Sequence, residues 1–166
     1  MARKSAAKSA AGAEPRSGCP VSISLELLGD RWSLLIIRDL MVRACRTFHE
    51  FQNAGEGIAS NILSSRLRRL KAAGLVTTEP LPEDRRSLAY RLTEKGIALA
   101  PLLLELLIWG ANNNESAAPA EFIRQCEANR QAVLDETLRR WRERDPRPLI
   151  PPFPSRKIES KSKRTR

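Results

Sequence analysis

The sequence predicts a mainly α-helical domain with one small β-hairpin, and three observations predict it. A basic amphipathic helix lies near the middle of the chain, within residues 56–93. Two short β-prone runs follow it and flank a charged turn, Glu83-Asp84-Arg85-Arg86-Ser87. Before and after stand segments whose apolar residues recur at helical spacing. A helix with one basic face and a hairpin "wing" behind it has the layout of a DNA reader.

Taken in order, residues 1–18 hold four basic residues, one acid and no apolar run. They read as a disordered tail and lack the apolar core of a secretory signal. Cys19-Pro20 opens a first helix in which Val21, Leu25 and Leu28 share a face, with Ile23 and Leu27 on its flanks and Gly29 at its end. Asp30 is placed to cap a second helix, from Trp32 to about Val42. That helix is apolar nearly all round through Trp32, Leu34, Leu35, Ile36, Ile37 and Leu40, so it belongs in the middle of a core. Residues 43–46 form a connection. Thr47 is a cap for a short third helix anchored by Phe48 and Phe51, and residues 53–57 make the turn that follows.

The basic helix comes next, opened by a polar cap, with Ser60 at its start among the expected DNA-binding residues. At 100° per residue, Leu63, Leu67 and Leu70 fall within about 60° of one another and must face a core. Asn61, Ser65, Arg68 and Arg69 point the other way, with Ser64 on the flank. Short polar side chains let a helix approach base edges, and arginines reach guanine edges or phosphates. An ordinary solvated face also carries arginines, so the hairpin is needed to decide. Gly74 stops the helix, residues 75–79 form a first strand, and Pro80 and Pro82 end it. Residues 88–93 alternate as a second strand, with Leu88, Tyr90 and Leu92 on one face and Ala89 and Arg91 on the other. Arg85 or Arg86 at the hairpin tip is placed to enter a minor groove, with Asp84 as a charge-assisted hydrogen-bond partner.

After the wing, Thr93 and Glu94 open a helix that runs to about Asn112 through Leu99, Leu102, Leu103, Leu106, Leu107 and Trp109. That is more leucine than one small core needs, so a second chain is the expected burial partner of Leu102, Leu103, Leu106 and Trp109. Residues 121–142 read as a further helix that covers either the dimer or the wing domain. Pro146, Pro148, Pro151, Pro152 and Pro154 then exclude regular helix, and a basic low-complexity tail ends the chain. The expected organisation is a tail at 1–18, a DNA-binding and dimerisation domain at 19–113, a C-terminal helical extension at 119–145, and a Pro-rich basic tail at 146–166.

Composition bounds the function. With 42% apolar residues the 166-residue chain can fill a core, and a net charge of +10 fits a polyanionic partner. Much of that charge sits in the tails, +3 over 1–18 and +5 over 155–166. No run approaches the roughly 18 consecutive apolar residues of a membrane span, so a cytoplasmic protein is expected. Cys19, Cys45 and Cys126 form no CxxC pair, which points away from a disulfide framework or zinc site. His49 is the only histidine, so a His-based triad with a second imidazole cannot be built. Cys45 and His49 are four apart but lack a third ligand. Ser64 and Ser65 lack an adjacent base, and no Gly-rich phosphate loop occurs. No enzyme, metal or cofactor is expected. Cys19 stands at a helix N-terminus, where the dipole favours thiolate. It is either a sensor of oxidants or electrophiles or a structural cysteine at a dimer edge.

The run CPVSISLELLGDRWSLLIIRDLMVRACRTFHEFQNAGEGIASNILSSRLRRLKAAGLV, followed by YRLTEKG and PLLLELLIWG, resembles the HxlR-type winged-helix transcriptional regulators of bacteria over about residues 19–111. The resemblance implies a winged helix-turn-helix that binds double-stranded DNA. It implies a homodimer formed by the first helix, with Val21 and Leu25, and the helix after the wing. Asn61, Ser64, Ser65, Arg68 and Arg69 would lie on the groove-facing helix, and some such regulators sense oxidants or electrophiles. The wing turn EDRRS departs from the Pro-rich turn of many members and resembles that of MarR-type regulators, which supports Arg85 or Arg86 as the wing contact. The expected function is a DNA-binding regulator, a repressor on a pseudo-palindromic operator, with an oxidant or small molecule as effector. The rival readings are a winged-helix module that binds protein without specific DNA binding, and a small thiol enzyme built on Cys19.

Overall fold

The computed structural model describes residues 17–81 and 87–149. Asp84, Arg85 and Arg86 at the wing tip, and nearly all of the two expected tails, lie outside the described residues. The elements run α1 (Pro20–Leu28), α2 (Ser33–Val42), α3 (Phe48–Gln52), α4 (Ser60–Ala72), β1 (Val76–Pro80), β2 (Leu88–Leu92), α5 (Glu94–Ile97), α6 (Ala100–Asn113), α7 (Ala120–Ala128) and α8 (Arg130–Glu143).

Local chemistry sets most of the boundaries. The Asp30 carboxylate accepts the backbone N–H groups of Trp32 and Ser33 at 2.9 and 3.1 Å, satisfying donors that the start of α2 would leave orphaned. Thr47 and Glu50 form a reciprocal capping box at α3. Gly74, at φ +70°, takes the left-handed conformation that ends α4, and Leu75 N–H donates back to the Leu70 carbonyl.

The main core joins α2, α3, α4 and the hairpin. Ile36 and Ile37 of α2, Phe51 of α3, Leu63, Leu67 and Leu70 of α4, and Val76 and Leu92 of the hairpin are all buried there. Burial of each such side chain contributes about 1.5–3 kcal/mol, so the apolar stripe of α4 holds the helix down and leaves its opposite face outward. β1 and β2 pair antiparallel from Val76↔Leu92 to Pro80↔Leu88. Pro80 was expected to end the strand; it is instead the last paired residue, and Leu81 N–H donates to the Ser87 carbonyl one step beyond. The 43–46 connection lies along the hairpin, with Tyr90 N–H donating to the Arg46 carbonyl at 2.7 Å.

Four expectations need correction. The helix after the wing is two helices, because Pro101 has no N–H to donate to Ile97 and Leu99 N–H bonds instead to Gly96 in a tighter turn. The helix at 121–142 also breaks, at Asn129, whose φ of −126° leaves the helical region. Alternation along β2 does not govern burial: Leu88 is 48% exposed while Ala89, on the opposite face, is buried. The leucines of α6 are shared three ways. Leu103 packs on the main core, Leu104 and Ile108 form a second core with Cys126, and Leu102, Leu106 and Trp109 remain exposed. Residues 94–113 are the one stretch among those described long and apolar enough to cross a membrane, yet α5 and α6 bury part of it in these two cores.

Part of the C-terminal extension covers the wing domain. Leu138 and Trp141 of α8 pack on the main core. Trp141 Nε1 donates to the Leu92 carbonyl at 2.9 Å, Arg91 donates to the Trp141 carbonyl at 2.7 Å, and Arg144 meets both Glu79 carboxylate oxygens at 3.1 Å. The base of the wing is therefore held by α8.

Candidate nucleic-acid interface

The interface is built on the α3–turn–α4 unit. A buried charge cluster braces the turn from behind. Asp39, 4% exposed, accepts from Arg38 Nε and Nη2 at 2.9 and 2.7 Å. Arg38 Nη1 donates to Glu56 at 2.9 Å, and Arg43 Nη1 to the Ala54 carbonyl at 3.1 Å. Both guanidiniums thus run from α2 to the loop between α3 and α4. Such a fully bonded cluster fixes the angle at which α4 leaves the turn.

The polar cap expected to open α4 makes no side-chain hydrogen bond. Ala59 takes the N-cap position with no side-chain hydrogen bond, and Ser60 is the first helical residue. Among the described residues no side chain accepts from the first-turn N–H groups of α4, the arrangement that receives a phosphate at a helix start. Ser60, Asn61, Ser64, Arg68 and Arg69 are exposed, and Ser65 is half-buried.

Tertiary contacts sort the basic residues of α4. Arg66 Nε donates to Asp30 at 2.9 Å, tying α4 to the start of α2. Burial would raise the Asp30 pKa, but hydrogen bonds from the Ser33 hydroxyl and from the Trp32 and Ser33 backbone, together with Arg66, hold it below the usual carboxylate value. Arg69 donates to the Glu26 carbonyl of α1, which turns its guanidinium sideways from the polar face. Lys71 Nζ donates to Thr78 Oγ1 of β1 at 2.7 Å. Among the described residues Arg68 is the α4 cation that no protein group holds. It stands on one outward face with Asn61, Ser64 and Ser65.

The remaining expected residues separate into two groups. Cys19 is exposed at the N-cap of α1. Val21 and Leu25 are 66% and 60% exposed on α1, and Leu102 and Trp109 44% and 62% on α6, with Leu106 beside them. Leu103, expected on that surface, packs inward. Arg85 and Arg86 lie outside the described residues. The reading of the sequence missed Arg66, the Asp39 cluster and the Trp141 tie. Asp30 and Arg66 are 36 residues apart, and no local pattern marks such a pair.

Known proteins share this fold. The sequence profile described as HxlR-like helix-turn-helix matches residues 27–118. YybR of Bacillus subtilis (strain 168), an uncharacterized HTH-type transcriptional regulator, is 31% identical over 100 residues, 60% of this chain and 79% of its own. The redox regulator HypR in its oxidized form superposes with a TM-score of 0.53 at 30% identity, over 59% of this chain and all of its own. PA1607, a candidate transcription factor, superposes with a TM-score of 0.57 at 38% identity, over 63% of this chain and 72% of its own. The family and fold are those of winged-helix transcription regulators and not of enzymes. A matched segment that takes in α2, the helix-turn-helix pair, the wing and α6 means that this chain belongs to the HxlR-like helix-turn-helix family.

Proposed function

We propose that this chain represses transcription in the bacterial cytoplasm by binding a pseudo-palindromic double-stranded operator as a homodimer. The observation that carries the reading is the outward face of α4, where Arg68 stands among small polar residues with no partner among the described residues. Arg68, Asn61, Ser64 and Ser65 read base edges, while Ser60 and Arg69 meet the backbone and Arg85 or Arg86 follows the minor groove from the wing. A dimer bound over a promoter blocks it without further machinery.

The first test is substitution on that face. Arg68→Ala and Ser65→Ala are expected to lower operator affinity by roughly ten- to a hundredfold, the worth of a base-edge contact, and to leave fold and assembly intact. Gel shift with the operator measures this. Unchanged binding in both variants would mean that α4 does not enter the groove in this orientation.

Cys19 is the signal input of this reading. The Ser22 and Val21 backbone N–H groups at the start of α1 lower its thiol pKa, which favours the thiolate. The other two thiols are disfavoured. Burial, with Asp39 and Glu50, pushes Cys45 up to about 11, and burial raises Cys126. The solved relative HypR is a redox regulator by name. A quinone adds directly to the Cys19 thiolate, while diamide draws two electrons from a pair of thiols, joins them, and is reduced to a hydrazine. Either change beside the paired helices shifts the two copies of α4 out of register with the half-sites. Treated wild type is expected to lose operator affinity by about tenfold or more, and Cys19→Ser to keep it. Should treated wild type keep full affinity while mass spectrometry finds Cys19 unmodified, the effector acts elsewhere.

A further inference from the structure

Between α2, α6, α8 and the 116–118 loop lies a cavity of about 400 Å³. Its walls are almost wholly apolar, with Leu34, Leu103, Leu107, Val133 and Leu134 among them. That size and lining are those of a site for a drug-sized molecule. The charged residues that border it are already matched. Arg38 and Arg43 face it, but both are bonded to the Asp39 and Glu56 cluster, two cations against two carboxylates. A charged ligand would gain little there. Thr137 spends its hydroxyl proton on the Val133 carbonyl.

Gly110 supplies an independent observation. It sits in the interior of α6, where glycine destabilises a helix relative to alanine. Close packing does not demand it, because a Cβ built there meets nothing within 4 Å. Gly110 lines the cavity, so its missing side chain leaves that space open.

The far wall of the cavity leads to the wing. Val133, Leu134 and Thr137 of α8 line it, and the next turn of the same helix and its C-cap hold the hairpin through Trp141 on Leu92 and Arg144 on Glu79. We propose that this cavity binds a neutral, apolar small molecule, and that its occupancy shifts α8 and thereby the wing. The regulatory half of this proposal rests on the operator-binding reading; the binding half does not. A ligand moves the hairpin only insofar as it fits one position of α8 better than another.

The test uses N-phenyl-1-naphthylamine, a neutral apolar fluorophore, titrated into the full chain without DNA. The expected result is a saturable fluorescence rise at one molecule per chain, with Kd on the order of 1–100 µM. Gly110→Leu fills the space and is expected to weaken binding at least about tenfold with an unchanged or raised melting temperature. If that variant fails to fold by circular dichroism, Ala118→Leu on the loop wall decides instead. Absent saturation, or equal binding by the filled variant, overturns the site. So does binding seen only in a chain ending at Leu149, which would assign the cavity to the chain's own tail. Hydrogen exchange of the β1 and β2 amides reads the coupling: a change of at least about threefold with the fluorophore bound supports it, and unchanged exchange overturns it. A protein that binds the fluorophore and no operator fails the earlier reading and not this site.

Discussion

Asp39→Ala is expected to lower the stability of the fold by about 2–4 kcal/mol, read as a fall in the urea midpoint at constant slope. Asp39 is the common acceptor of Arg38 and Arg43, and its own side chain is only 5% exposed. Removing one partner of a buried pair leaves the other charge unmatched, which costs about 3–5 kcal/mol. The figure is discounted here because Arg38 is 23% exposed and Glu56 remains within reach of both guanidiniums. Asp39→Asn keeps the shape and one acceptor, so a smaller loss is expected. The two variants also differ in pH behaviour. Burial raises the Asp39 pKa more than Arg38 and Arg43 lower it. A group whose folded pKa lies above its unfolded value contributes stability below the unfolded value and loses it as pH rises through the folded one. The gap between wild type and Asp39→Asn should therefore narrow as pH climbs above the ordinary aspartate value of about 3.9. An Asp39→Ala midpoint equal to that of wild type would mean that the cluster does not brace the turn.

The parts of the fold that were legible from sequence are those decided within a turn or two. The α4 stripe of Leu63, Leu67 and Leu70 is buried as its period requires. The cap at Thr47 and the stop at Gly74 are short-range chemistry and stand where the sequence placed them. The N-cap position of α2 is instead Trp32, and Asp30 accepts the N–H groups of Trp32 and Ser33 from two residues before it. Pro101 was equally visible, and its missing donor predicts the break before α6; a strong leucine period hid it. Other features depend on distant residues. Leu102, Leu103 and Leu104 are consecutive, yet one is exposed, one packs on the main core and one on the second core. Which face of a leucine-rich helix meets its own chain cannot be decided by period alone. The same holds for the interface. Arg66, Arg68 and Arg69 are alike in type and nearly adjacent, and only Asp30 and the Glu26 carbonyl, brought from far along the chain, separate Arg66 and Arg69 from Arg68, which no described residue holds. Lone glycine at Gly110 carries no meaning until the space beside it is seen.

Leu102→Glu combined with Trp109→Glu is expected to give a folded monomer whose operator affinity is about a hundredfold or more below wild type. Leu102, Leu106 and Trp109 are spaced four and three apart, so they form one stripe along α6, and all three are exposed. Val21 and Leu25 of α1, four apart, present a second such stripe. Large apolar side chains gathered on two helices form the kind of surface that a symmetric partner buries. Because both substituted residues already face solvent within one chain, the charges should leave the internal cores and the melting cooperativity intact. The loss in affinity then has a specific origin. Two half-sites about 10 base pairs apart, or a multiple of that, bind a linked pair of α4 helices as nearly one event. Unlinking them removes an effective concentration worth about 10²–10⁴ in affinity. Leu25→Glu, on the shorter stripe, is expected to weaken the dimer without abolishing it. Sedimentation separates the outcomes. A monomeric variant that binds the whole operator as tightly as wild type would refute the linked half-site reading, and a wild type that sediments as a monomer with a single asymmetric footprint would refute the dimer itself.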